Sequence, residues 1–143
     1  MTERKPLVIG LTGQTGAGKT TVSEAFAKHG YAVINADQVA REVTAEPEVL
    51  ARLAELFGEE ILLPDGTLDR KALGARVFSD PAELQKLDGT LYPIIVSRIE
   101  NRIRQLSAAG RRYILLDAPT LFESGLDKIC TRTVGVVADE NQR

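Results

Sequence analysis

Gly13-Gln14-Thr15-Gly16-Ala17-Gly18-Lys19-Thr20 decides the fold. The octet matches the P-loop pattern G-x-x-x-x-G-K-[ST] at every position. Leu7-Val8-Ile9-Gly10-Leu11-Thr12 precedes it and reads as a buried strand. Thr20 to Lys28 follows and reads as a helix, with Val22, Ala25 and Phe26 on one face and Gly30 as its stop. The glycines let successive backbone N–H groups point inward, and the helix N-terminus adds its partial positive charge. The result is a cradle for phosphate oxygens, here Gly13, Gly16, Ala17, Gly18, Lys19, Thr20 and Thr21. In such a loop the Lys19 ammonium neutralises the β- and γ-phosphates, and the Thr20 hydroxyl ligates Mg²⁺. A plain glycine-rich turn would need three glycines, a lysine and a threonine to fall in register by chance.

The remaining composition narrows the class. The chain has 143 residues, enough for one domain with a real core. Apolar residues make up 43% and charged residues 27%, ordinary for a globular protein, and the net charge of −2 gives no reason to expect nucleic acid as a partner. A single cysteine, Cys130, excludes an internal disulfide framework and fits a reducing compartment. No signal peptide and no membrane-length apolar run is visible, so a cytoplasmic location is expected.

Tyr31-Ala32-Val33-Ile34 reads as a second buried strand that ends at Asn35-Ala36-Asp37, where a helix begins. Strand, helix, strand with apolar strands means a parallel sheet covered on both faces. Ligands of such sheets bind at the carboxyl ends of the strands, which places Asp37 near the phosphates. Asp37 to Gly110 is then almost wholly helical in pattern. Pro47 opens a helix carrying Leu50, Leu53, Leu56 and Phe57, stopped by Gly58. Asp65-Gly66 marks a turn, and Asp69 reads as an N-cap with a Leu68–Leu73 staple. Asp80-Pro81 starts another helix with Leu84, Leu87 and Leu91. Pro93 is expected to break it and start a further helix with Ile95, Ile99, Ile103 and Leu106, closed by Gly110.

Tyr113-Ile114-Leu115-Leu116-Asp117 resembles a Walker-B strand, whose Asp orients Mg²⁺ or its water shell. A loop, Ala118 to Glu123, and another buried strand, Thr133 to Val137, follow. Asp139-Glu140-Asn141-Gln142 looks like a helix start with no helix behind it, which suggests a shortened chain. The expected fold is a three-layer α/β/α P-loop NTPase with a parallel sheet. Residues 1–36 and 111–143 form the nucleotide-binding core, and 37–110 form a helical substrate-binding insertion. The alternative for the insertion is several helices padding one crossover.

With these segments placed, the sequence resembles the dephospho-CoA kinase family from Leu7 to Arg143. The resemblance is carried by Gly10-Leu11-Thr12-Gly13, Asn35-Ala36-Asp37 with Ala40-Arg41, Gly66-Thr67-Leu68-Asp69-Arg70, Val77-Phe78-Ser79-Asp80 and Pro119-Thr120-Leu121-Phe122-Glu123. Three features depart from it. Asn35 stands where the family usually has the first Asp of D-A-D, Tyr92-Pro93 where His-Pro is common, and residues matching the family's arginine-bearing lid and last strand are not seen between Met1 and Arg143. The resemblance implies transfer of the ATP γ-phosphoryl, with Mg²⁺, to the ribose 3′-hydroxyl of dephospho-CoA, the last step of coenzyme A synthesis. It implies Asp37 as base and Arg41, Tyr92, Leu121 and Glu123 on the acceptor side.

Each residue also has a simpler reading. Asp37 caps a helix or pairs with Arg41 at i, i+4, and Asp117 and Glu123 are ordinary surface carboxylates. Tyr92 packs half-buried, Arg98 and Arg102 are solvated or meet an anion, and His29 sits structurally on the apolar stripe near a helix end. Competing functions are a nucleoside or nucleotide P-loop kinase, a nucleotide switch (for which no Asn-Lys-x-Asp segment is present), and a truncated ATP-binding fragment without turnover.

Overall fold

The computed structural model describes residues 5–13, 18–119, 121 and 124–136. The chain divides into two compact units, Met1–Asp37 with Val96–Arg143, and Gln38–Ile95.

The first unit is built on four parallel strands: β1 (Leu7–Gly13), β2 (Ala32–Asn35), β3 (Tyr113–Asp117) and β4 (Arg132–Val136), in the order β2-β3-β1-β4. The two central strands are buried on both faces, which is why they read as unbroken apolar runs. Ile9 and Leu11 pack with Leu115 on one face, and helix α1 (Lys19–Lys28) lays Val22 and Phe26 against them. Ala25, expected on the same stripe, is exposed. The end of α1 is a Schellman cap. Gly30 takes φ 90°, its N–H donates to the Ala27 carbonyl at 3.1 Å, and the Tyr31 N–H donates to the Phe26 carbonyl at 3.1 Å. Phe26 and Tyr31 then meet edge to face, 4.8 Å between centroids, which supplies the apolar contact such caps usually carry. His29 is the exposed C-cap residue, so it does not lie on the apolar stripe.

The opposite face of β1 carries Gly10, and here the packing is closest. A β-carbon on Gly10 would stand 2.7 Å from the Cys130 Sγ and 3.0 Å and 3.1 Å from the two Leu121 methyls. The glycine is therefore fixed by space rather than by φ. Burial, with Asp127 adding in the same direction, pushes the Cys130 thiol up to about 11.

The outer strands depart from expectation. Val33 in β2 and Val134 in β4 are exposed, because each strand lies at an edge of the sheet and only the inner pair is enclosed. β4 also begins at Arg132, one residue earlier than the apolar pattern indicated.

The second unit is helical. It takes in most of α2 (Ala36–Thr44), α3 (Pro47–Phe57), a 3-10 turn at Glu59–Ile61, α4 (Arg70–Val77) and the first half of α5 (Pro81–Ala108). Leu50, Leu53 and Phe57 are buried, as the stripe on α3 requires. Asp69 caps α4 by accepting the Ala72 N–H at 3.1 Å. Asp65 accepts both the Thr67 N–H and its hydroxyl, at 2.9 Å and 2.6 Å, and this holds its carboxyl below the usual range. The expected break at Pro93 is absent: α5 runs through it as one helix. Pro93 removes one N–H and crowds the carbonyl four residues earlier, but that residue is Gly89, with open space around it. Its backbone can yield, while Ile95 and Ile99 bury beyond the proline. A second Schellman cap ends α5, Gly110 donating to the Ser107 carbonyl and Arg111 to the Leu106 carbonyl.

Two outcomes test this packing. Gly10→Ala lowers stability by about 1–3 kcal/mol through overpacking, and adding Cys130→Ala restores part of it, measured by urea unfolding. Unchanged stability of the single variant would show that the wall behind β1 is soft. Cys130 in the native protein alkylates with iodoacetamide far more slowly at pH 8 than in urea, and the native rate climbs towards pH 11. The sign follows from the raised thiol: thiolate, the reacting form, is scarce below that pH. Equal native and unfolded rates at pH 8 would contradict it.

Candidate active site

The register of the sheet assembles the site within the first unit. Leu11 pairs with Asp117 on one side, and Asn35 pairs with Asp117 on the other. The carboxyl ends of β2 and β3 therefore finish level, and β1 runs two residues further, to Gly13. The connections leaving the neighbours β1 and β3 run in opposite directions along the sheet, towards β2 and β4 respectively. Each passes the other strand, and open α/β sheets take their ligands at the carboxyl ends of such strands.

Backbone geometry at these strand ends is special at two glycines. Gly13 ends β1 at φ 138°, and Gly18 precedes α1 at φ 88°, ψ 6°, a left-handed conformation. Gly18 has no side chain to cap α1, so the first N–H groups of that helix stay available to an outside acceptor. Lys19 and Thr20 open α1, and Thr21 is exposed in its first turn. Gly16, Ala17 and Glu123 lie outside the described residues, and for Lys19 and Thr20 only the backbone is described.

Asp117 closes β3, half-buried, with one carboxylate oxygen fully enclosed. Asp37 is exposed in the first turn of α2, two residues beyond Asn35. It sits inside the helix rather than at its cap, so the simple capping reading does not hold. Arg41 is exposed one turn further along α2. Tyr92 is half-buried in α5, and so are Arg98 and Arg102, which are not freely solvated. Leu121 departs from its expected place on the acceptor side. It is fully buried against Gly10, and its carbonyl accepts the Asp127 N–H at 3.2 Å, so it serves the core behind β1. No cluster of three or more His, Cys, Asp or Glu suited to a metal occurs among the described residues. None of their helices is long and apolar enough to cross a membrane.

One contact at the strand ends escaped the motif reading. The Thr12 hydroxyl donates to the Pro119 carbonyl at 3.2 Å. Thr12 lies one residue outside the P-loop pattern; its one signal is a polar side chain in an apolar strand.

Comparison with known proteins agrees with this geometry. The sequence profile of dephospho-CoA kinase matches residues 7–143. The chain belongs to the dephospho-CoA kinase family. A Deinococcus radiodurans relative named dephospho-CoA kinase is 43% identical over 123 residues, covering 86% of this chain and 58% of the relative. A relative of the same name from Idiomarina loihiensis is 43% identical over 134 residues, covering 93% and 65%. A crystal structure of a Thermus thermophilus protein superposes with a TM-score of 0.79 at 33% identity, over 95% of this chain and 68% of that one. Dephospho-CoA kinase from Campylobacter jejuni shares the fold, with a TM-score of 0.71 at 24% identity. The chain thus spans about 58% and 65% of the length of the first two relatives. The fold is the P-loop NTPase fold, a parallel sheet flanked by helices, as the family implies.

The backbone at Gly18 yields a direct test. A β-carbon there meets no atom of the described residues within 4 Å, so a substitution adds chiefly left-handed strain. Gly18→Ala lowers stability by about 1–2 kcal/mol, and Gly18→Asn, which tolerates that region better, by less. Thermal unfolding of the two variants measures the difference; an equal or reversed loss would contradict the assigned conformation.

Proposed function

We propose that this chain carries the ATP site and the acceptor side of an enzyme that phosphorylates the ribose 3′-hydroxyl of dephospho-CoA, giving CoA and ADP. The observation that carries the reading is the register at the carboxyl ends of β1, β2 and β3. It brings the two positive-φ glycines, the N-terminus of α1, Asp117 and Asp37 to one edge of the sheet, in a chain of this family.

The phosphates of ATP lie along the backbone N–H groups from Gly13 to Thr21, with Lys19 across the β- and γ-oxygens. Such a cradle needs no reorganisation when charge shifts towards the leaving oxygen. Mg²⁺ suits the donor set, since it takes one or two protein oxygens and keeps several waters. Asp117, with an oxygen enclosed at the strand end, and the Thr20 hydroxyl are the groups that would hold it. When bound, the ion neutralises the β- and γ-phosphates. Asp37, exposed, accepts the proton of the 3′-hydroxyl as that oxygen bonds to the γ-phosphorus and the bond to ADP breaks. Arg41, one turn on, offers a guanidinium to an anionic acceptor. In this reading the family resemblance assigns recognition of the remainder of that acceptor to residues 37–110, Tyr92 among them, and to Glu123. Leu121, buried, supports the loop from behind. Nothing in this scheme calls on nucleic acid or a membrane, and a cytoplasmic setting fits it.

ADP release is measured from ATP and Mg²⁺ with dephospho-CoA, adenosine, AMP or no acceptor. Release that depends on dephospho-CoA is expected. Release with AMP or adenosine alone would move the chain to the nucleoside or nucleotide kinases, and none with any acceptor would remove turnover from this chain. Lys19→Ala abolishes ATP binding or turnover, and near-normal activity would sink the P-loop assignment. Asp37→Asn lowers turnover by roughly 10²–10⁴-fold while ATP still binds. A loss of only a few-fold would take the base role from Asp37.

A further inference from the structure

We infer that Thr12 is a positioning residue of the nucleotide site, acting through the chain that follows Asp117. The inference rests on the reading of Gly13 to Thr20 as a phosphate cradle.

Leu11 is in register with Asp117, and the Ala118 N–H donates to the Leu11 carbonyl at 2.9 Å, the closing ladder bond of that pair. Beyond it one further link joins the two chains: the Thr12 hydroxyl donates to the Pro119 carbonyl at 3.2 Å. This link is made by a side chain, and Gly13 turns at φ 138° just after it.

The two branches of Thr12 divide the work. Thr12 pairs with Gly135 in β4, and a β-carbon there would stand 4.0 Å from the Thr12 methyl. The methyl faces the Gly135 side, and the hydroxyl holds Pro119. Thr12 is the last residue before the cradle, and Pro119 lies two residues beyond the candidate Mg²⁺ carboxylate. The hydroxyl therefore ties the root of the cradle to the segment that follows Asp117. ATP held without a divalent ion uses the cradle alone. ATP held with Mg²⁺ also uses the spacing between cradle and carboxylate, and that spacing is what Thr12 fixes.

The test is the gain in ATP affinity that Mg²⁺ confers over EDTA, measured by calorimetry on the full chain. Thr12→Val keeps the shape and loses the hydrogen bond. It is expected to cut that gain by roughly 2- to 10-fold, the range of one half-buried hydrogen bond, with affinity in EDTA unchanged. Thr12→Ala, which fits any space the threonine occupied, does the same, and Thr12→Ser retains the gain. A purely structural role predicts lower thermal stability with the gain intact. That result overturns the inference, as does a serine variant that loses as much as valine, or valine and alanine variants that both fail to fold. A wild-type chain that binds no ATP in either buffer overturns the cradle reading and this inference with it. Wild-type binding with an intact gain in the valine variant overturns Thr12 alone.

Discussion

The molecule depends on the parallel ladder between β1 and β3. Each strand is buried on both faces, so its position is set by packing from two sides as well as by hydrogen bonds along its edges. A slip of β1 by one residue would turn Ile9 and Leu11 away from Leu115 and bring Val8 and Gly10 against α1. Gly10 sharpens the constraint. Its missing side chain is the space that Leu121 and Cys130 occupy, so neither a register shift nor a larger residue is accommodated there. Once Leu11 is locked opposite Asp117, the phosphate loop leaves the sheet at Gly13, two residues beyond the level of the carboxylate. The chemistry assigned to this edge follows from a packing decision made in the core.

Much of this was legible because the signals are local. Gly30 and Gly110 announced the ends of α1 and α5, and both are left-handed residues of Schellman caps. Asp69 announced the start of α4, and its side chain makes the expected capping bond. The P-loop and the strands around it were readable for a similar reason, since a dense motif and two apolar runs need no information from elsewhere. The family was legible through the order of short segments rather than through any one of them beyond the P-loop.

Several of the misreadings have a different cause: they turned on a neighbour distant in sequence. Leu121 lies in a loop whose pattern resembles an acceptor-side segment, yet the empty space over Gly10, more than a hundred residues earlier, draws its side chain into the core. Val33 and Val134 looked like buried strand residues because composition cannot tell a central strand from an edge. Pro93 looked like a helix break because proline carries a local penalty of about 3 kcal/mol. The glycine four residues earlier relieves the steric part, and burial of Ile95 and Ile99 offsets the rest. Asp37 was placed at the right sheet edge but read as a possible cap, whereas α2 starts one residue earlier, at Ala36. Thr12 was passed over because its role exists only once β3 and the loop behind it are in place.

The same ladder bears on Asn35, the residue that departs from the pattern the resemblance implies. Asn35 is the register partner of Asp117, so the two side chains project from the same face of adjacent strands, about 4.8 Å apart along the ladder. A second carboxylate at that position would repel the first by about 1 kcal/mol in water and about 3–4 kcal/mol at the dielectric of a protein surface. Such a pair is tolerable when a cation stands between its members and costly when none does. An amide removes the repulsion and offers an N–H donor in its place. This strand edge therefore depends less on a bound cation for its own stability than an edge with two carboxylates would. It also concentrates the negative charge on Asp117, the residue whose height the β1–β3 seam controls.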